Sequence, residues 1–349
     1  MSASKLIEVT TVAEDEIVLH VPARNENEAQ VLVFSDLKPD TPIDVGIGEV
    51  RTLSKPGGEL LSTIATINDV HLGEIECGVI GGLDLGPILR SNEGDLPYPE
   101  VMSHAVVNEI EISNPDLVVA KGDLTSSGLE EEFDSFFKMY GSIFQDKLIA
   151  VRGNHDAKDD STIYSTKNPP VDIPFQERVL PGVTVALIDT TLPGSSGGRF
   201  TNEQAEWLDE LAHRSSEPVL VFGHHHAWDP ASRVRPQTYF GINPTDSEKL
   251  VNVFSNNANL RGYFAGHTHR NRVRRFSLTA EVPWVEVAAV KDFPGSWCQY
   301  KIYEGGFLQI HRRASSKDAL KWSENCRSMY GGRYVDYAFG ELEDRCFSF

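Results

Sequence analysis

The chain has 349 residues, 40% of them apolar, enough for one large packed domain with an appendage. Its 51 Asp and Glu outnumber its 32 Lys and Arg, and the net charge of -19 argues against non-specific binding to a nucleic acid polymer or an acidic membrane surface. A small phosphate ester stays compatible, because bound divalent cations would dominate the potential inside a site.

From Met1 to Glu8 there is no apolar run long enough for a signal peptide, and no later segment approaches the roughly 18 apolar residues of a membrane span, so the chain reads as cytoplasmic with no membrane partner. Short apolar or alternating runs at 16–21, 30–34 and 43–47, separated by turn residues, predict an N-terminal β module over residues 1–58. Leu37-Lys38-Pro39-Asp40-Thr41-Pro42 resembles the strand connection of a fibronectin-type sandwich, with Ile43 at the place of its usual tyrosine, and residues 55–58 would be the linker.

From Leu60 apolar strand-like runs alternate with helical segments, the pattern of a layered α/β domain, here over residues 59–313. Helices are predicted at 100–112 and 130–140. A third is announced by Thr201 and Gln204, a capping box ahead of Ala205, Trp207, Leu208 and Leu211. The long Gly-rich segment 72–99 reads as a lid or as a contact in a homodimer. Strands return around 285–290, 298–303 and 307–312, and the tail over 314–349 reads as a short helix with an irregular aromatic end. Cys77, Cys298, Cys326 and Cys346 lack Cys-x-x-Cys spacing and are too few for a disulfide scaffold; they read as buried thiols, with a Cys326 to Cys346 bridge as the alternative.

Five apolar runs end in ligand-type residues. Ser62 to Ile67 leads to Asn68-Asp69-Val70-His71, Asp116 to Ala120 leads to Lys121-Gly122-Asp123, and Leu148 to Val151 leads to Gly153-Asn154-His155-Asp156. Val219 to Phe222 leads to Gly223-His224-His225-His226, and Tyr263 to Ala265 to Gly266-His267-Thr268-His269. Sites in such proteins assemble beyond the carboxyl ends of the strands, so the five turns are expected to converge, with the glycines allowing tight turns. Asp69 and His71, and again His267 and His269, would share a face of a regular strand and reach one cation. Carboxylate oxygen with imidazole nitrogen suits manganese, iron, zinc, cobalt or nickel, and the absence of thiolates argues against a zinc finger. The set is too large for one tetrahedral ion but matches two ions sharing a carboxylate.

In this order D-x-H, G-D, G-N-H-D, G-H and G-H-x-H resemble the calcineurin-like metallophosphoesterases over about residues 60–270. The resemblance implies a four-layer sandwich of two mixed β-sheets flanked by helices, holding two divalent ions that hydrolyse phosphate esters by attack of a metal-bridging hydroxide. By motif, Asp69, His71 and His269 would bind the first metal, Asn154, His224 and His267 the second, and Asp123 both. His155 would face the leaving-group oxygen as proton donor, oriented by Asp156.

The fourth motif has His224-His225-His226 where relatives often show His-His-Pro; His224 follows Gly223 and is the motif match, and direct roles for His225 and His226 stay open. Ser126 stands where purple acid phosphatases have their metal-binding tyrosine, so the first metal is expected to be divalent. Gly122-Asp123-Leu124-Thr125 resembles the bacterial cyclic-nucleotide and glycerophosphodiester phosphodiesterases. Two rival readings use the same fold: a phosphomonoesterase or protein phosphatase, and a non-catalytic binding scaffold.

Overall fold

The protein is described by a computed structural model over residues 7–23, 28–79, 85–158 and 169–349; part of the N-terminus and of the segment 72–99 read above lies outside the described residues. β1 (Glu8–Val12), β2 (Ile17–Val21) and β3 (Gln30–Phe34) form an antiparallel sheet. β4 (Pro42–Asp44) and β5 (Glu49–Arg51) form a hairpin. The run 43–47 is thus no single strand: after Asp44 the chain reverses through Gly46, whose φ of +83° suits a residue without Cβ. Val12, Ile17, Leu19 and Val45 pack there around Cys346 of the tail. Thr11 Oγ1 donates to the His311 carbonyl at 2.8 Å and Arg345 to that of Val9 at 2.6 Å, so this sheet rests on the body of the molecule.

The body begins with β6 (Leu60–Ile67), β7 (Leu117–Lys121), β8 (Leu148–Val151), β9 (Phe175–Leu180) and β10 (Val183–Ile188). It continues with β11 (Val219–Phe222), β12 (Leu260–Ala265), β13 (Arg272–Arg275) and β14 (Pro283–Glu286), then β15 (Ser296–Tyr303), β16 (Gly306–Arg313) and β17 (Phe347–Ser348). Two six-stranded mixed sheets result, ordered β17-β16-β15-β6-β7-β8 and β13-β14-β12-β11-β10-β9. β6, β7 and β8 are parallel neighbours in one, and β10, β11, β12 and β14 in the other.

Residue alternation explains the layering. Ile64, Val119, Ile149 and Val151 from the first sheet meet Val185, Leu187, Leu220 and Phe222 from the second in a shared inner layer. Their neighbours Ala65, Ile67, Val118 and Ala150 turn outward to meet Met102, Val106 and Ile110 of the helix Tyr98–Ser113. Ala186, Ile188 and Val221 meet Leu208 and Leu211 of Asn202–Arg214 and Leu250 and Phe254 of Pro244–Asn256. Strands buried on both faces read as continuous apolar runs, and each such side chain contributes roughly 1.5–3 kcal/mol. The outcome is the expected four-layer α/β sandwich.

Other expectations are met with adjustments. The helix read at 130–140 is α-helical over Glu130–Phe136 and continues as a wider π-type turn over Phe137–Gly141. Thr201 Oγ1 accepts from the Gln204 amide at 3.1 Å and Gln204 Oε1 from the Thr201 amide at 2.9 Å, completing the capping box. All four cysteines are free and buried: Cys326 sits in the layer with Cys77, whereas Cys346 lies in the N-terminal core, so the alternative bridge does not form. The tail is ordered throughout as helices Lys317–Cys326, Tyr334–Phe339 and Leu342–Arg345, ending in β17 against β16.

Candidate metal centre

The five motif turns meet where the carboxyl ends of the two sheets adjoin. β6 and β7 run in parallel, so their exits lie side by side: the Asp69 amide donates to Gly122 O at 3.0 Å and the Val70 amide to Asp123 O at 2.8 Å. Across the sheets, the His267 amide donates to Asp69 Oδ2 at 2.9 Å. The regular-strand expectation for Asp69 with His71 and for His267 with His269 is corrected here. All four have φ between +50° and +68°, and Asp123 has +49°, so they lie on left-handed turns beyond the strands. Such backbone is costly for non-glycine residues and gathers at functional sites. The motif glycines serve mainly close approach: a Cβ on Gly153 would lie 2.2 Å from Asp123 Oδ1.

All seven predicted ligand residues come together. Asp123 Oδ2 stands 3.4 Å from His71 Nε2 and 3.3 Å from His224 Nε2; His224 Nε2 is 3.1 Å from Asn154 Oδ1, and His269 Nε2 is 3.3 Å from Asp69 Oδ1. Asp69, His71 and His269 form one group whose ligand atoms could hold an ion; Asp69, Asp123 and His224 form another, and His224, His225 and His267 a third. The far ring nitrogens are occupied. His224 Nδ1 is 2.8 Å from the Lys121 carbonyl, His269 Nδ1 3.2 Å from Asp292 Oδ2, and His71 Nδ1 2.9 Å from Glu74 Oε2, off the line of an ideal hydrogen bond. His267 uses Nε2 instead, 2.7 Å from the Phe240 carbonyl, which leaves its Nδ1 to the site. Imidazoles anchored on one nitrogen and aimed by the other are the arrangement of metal-binding histidines.

The electrostatics fit cations in the same place. Burial alone would raise the Asp69 and Asp123 carboxyls, yet the charges and hydrogen bonds of His269 and His224 hold both below the usual carboxylate range. In return, burial is outweighed at His224 by Asp123, raising it to about 9, and at His269 by Asp69 and the bond to Asp292, raising it to about 10. Two fully buried carboxylates draw their counter-charge from protons on neighbouring imidazoles; divalent ions would supply that charge to the same oxygens.

His155 and Asp156 are placed differently from each other. The His155 ring lies 4.4 Å from the His71 ring, with Nδ1 2.8 Å from the Ser126 carbonyl; burial, then the charge of His71, pushes it down to about 4. Asp156 does not orient it. Its carboxylate accepts from the Gly153, Leu124 and Thr125 amides and from Thr125 Oγ1 at 2.6–3.1 Å, tying the third motif turn to the second. Ser126 is the group that orients His155.

His225 is buried beside His267, ring centroids 4.5 Å apart, with Nδ1 2.9 Å from Thr190 Oγ1; His226 turns away to Tyr239. In the basic run after His269, Arg270 and Arg274 surround the buried Glu286, whereas Arg272 and Arg275 are exposed. Glu74, Asp292, Ser126 and the Lys121 carbonyl were not foreseen as parts of the site. Only Glu74, three residues after His71, carried a local signal.

The family profile described as calcineurin-like phosphoesterase matches residues 62–271. A "Probable cyclic nucleotide phosphodiesterase" of a Synechococcus species is 24% identical over 260 residues, covering 73% of this chain and 94% of that protein. A "Probable glycerophosphodiester phosphodiesterase" of Arcobacter nitrofigilis is 24% identical over 221 residues, 56% and 76% of the two chains. Among solved structures, a dimetal phosphatase from Danio rerio superposes with a TM-score of 0.54 at 17% identity, covering 74% of this chain and 98% of that one, a likeness of fold. Among the described residues no helix is long and apolar enough to cross a membrane. With a profile match over more than half its length, the chain belongs to the calcineurin-like phosphoesterase family and is a hydrolase acting on phosphate esters.

Proposed function

We propose that the protein hydrolyses small phosphodiesters, of the cyclic nucleotide or glycerophosphodiester type, at a pair of divalent cations. The observation that carries this reading is the meeting of Asp69, His71, Asp123, Asn154, His224, His267 and His269, with His224, His267 and His269 each anchored by one nitrogen and aimed inward by the other. The names of the relatives favour diesters. Bound there, two cations would supply an activated water and neutralise charge on the phosphoryl oxygens.

The residues divide the work. Asp69, His71 and His269 hold one position, Asn154, His224 and His267 the other, and Asp123, lying between His71 and His224, serves both. His155 donates its Nδ1 N–H to the Ser126 carbonyl and keeps Nε2 for the departing oxygen. Delivering a proton there requires the imidazolium, which an anionic phosphate ester bound beside the ring would favour against the burial that pushes it down to about 4. Asp156 acts by holding the two motif turns together. We place this activity in residues 59–313, supported by an N-terminal module over 1–58 and the tail over 314–349.

The test has two parts. Metal analysis of the saturated protein should find two ions per chain; fewer would contradict the shared role of Asp123. Parallel assays with bis(p-nitrophenyl) phosphate and p-nitrophenyl phosphate should favour the diester, and a strong monoester preference would replace the diesterase reading with a phosphatase.

A further inference from the structure

The tail over 314–349 and the segment 72–99 fall wholly or partly outside the motifs, yet both reach the metal centre. Asp292 Oδ2 takes His269 Nδ1 at 3.2 Å, and the Tyr334 hydroxyl donates to the other oxygen, Asp292 Oδ1, at 2.8 Å. Asp292 is 2% exposed and Tyr334 4% exposed, so both lie within the packed interior. A parallel arrangement stands behind His71. Glu74 approaches its Nδ1, the Tyr98 hydroxyl donates to Glu74 Oε1 at 2.6 Å, and Lys291 pairs with the same carboxylate. Trp322 of the tail stacks on Tyr98 at 4.1 Å and donates its indole N–H to the Lys291 carbonyl at 2.8 Å.

We propose that Asp292 and Tyr334 are positioning residues of the metal centre: Tyr334 holds the Asp292 carboxylate, which holds the His269 imidazole with Nε2 turned to Asp69. The physics is that of a carboxylate behind a metal-binding histidine. A ligating imidazole must carry its proton on the far nitrogen, and an anionic acceptor there selects that tautomer, locks the ring plane and strengthens the ligand. A buried carboxylate is held in one orientation by more than one donor, and the tyrosine hydroxyl is the second. Glu74, held by Tyr98 and Lys291, places a carboxylate behind His71 in the same way, 2.9 Å from Nδ1 but off the hydrogen-bond line. The C-terminal segment, beyond the residues that match the family, is in this way part of the centre.

This inference rests on the reading of His269 as a metal ligand, and the experiment separates the two. The metal-stripped full chain, its Tyr334→Phe and its Asp292→Asn variants are each titrated with manganese and with zinc by calorimetry, and the thermal midpoint of each metal-free protein is recorded. Asp292→Asn should weaken one of the two metal affinities by about 10- to 100-fold, and Tyr334→Phe should weaken the same one by a smaller factor. Tyr334→Phe keeps the ring and its packing but takes a donor from the buried Asp292, so its metal-free midpoint should fall by only a few degrees, and the affinities are compared at a temperature where every variant is folded. Parent affinities in both variants would overturn the positioning role while leaving the ligand reading intact. A parent chain that binds no metal would remove the ligand reading first, before any variant is compared.

Discussion

The two halves of the centre are supported by different means. Behind His71 and His269 stand carboxylate side chains, Glu74 and Asp292; behind His224 and His267 stand the main-chain carbonyls of Lys121 and Phe240. A side-chain carboxylate adds a full charge and comes from wherever the fold can deliver it. A main-chain carbonyl adds only a dipole and comes with the strand or loop itself. Point substitutions can therefore loosen the first half selectively, whereas the second yields only when backbone moves.

The largest expected effect falls on the residue that lies against the first half without supporting it. His155→Ala should lower turnover of diesters with poor leaving groups by about 10²- to 10⁴-fold while metal content stays at the parent value. Unchanged turnover on an alkyl diester would take His155 out of the chemistry, and lost metal would make it part of the support.

The joint between the second and third motif turns is Asp156. Asp156→Ala leaves the buried amides of Gly153, Leu124 and Thr125 without their acceptor, which should cost on the order of 3 kcal/mol. A denaturant midpoint within about 0.5 kcal/mol of the parent would show that the turns hold by themselves.

The contrast between charged and neutral support can be sharpened away from the centre. His20 and His311 are buried where the N-terminal sheet meets β16 of the body, partnered by Thr10 and Ser296 rather than by carboxylates. Burial, then the charges of Arg313 and Arg345 respectively, pushes them down to about 2 and about 3. The unfolded chain protonates these rings near pH 6.5 while the folded one does not, so their contribution is complete above that pH. Stability should fall as pH drops below it, by up to about 1.4 kcal/mol per pH unit for each ring. His20→Gln should flatten thermal denaturation profiles between pH 7 and about pH 4; an unchanged slope would mean that the ring is protonated in the fold. Smallest is the cap: Thr201→Ala should lower stability by about 1 kcal/mol, read as a small shift of the denaturant midpoint, and leave turnover alone.

What could be read from the chain alone was whatever is local. Apolar runs ending in Asp, Asn and His marked the strand exits, the offset of Thr201 and Gln204 marked a helix start, and the order of the motifs marked the family. Where reading failed, the cause was a pairing distant in sequence or a torsion that composition does not display. The run 43–47 hid a hairpin, Asp69 and His71 met through left-handed turns rather than on one strand face, and Asp156 turned to amides of another motif. In the tail a short helix was legible while the aromatic end read as irregular, because β17 pairs with β16 and Tyr334 with Asp292 across gaps that no periodicity spans.

The sequence by itself determined which ligand-type side chains stand at the strand exits, since those exits and the Asp, Asn and His placed at them are properties of neighbouring residues. The tertiary structure alone decided which nitrogen of each histidine faces the site and what stands behind it. Those choices depend on acceptors, such as Asp292 and the Phe240 carbonyl, that only the packing of separate elements brings within hydrogen-bond reach.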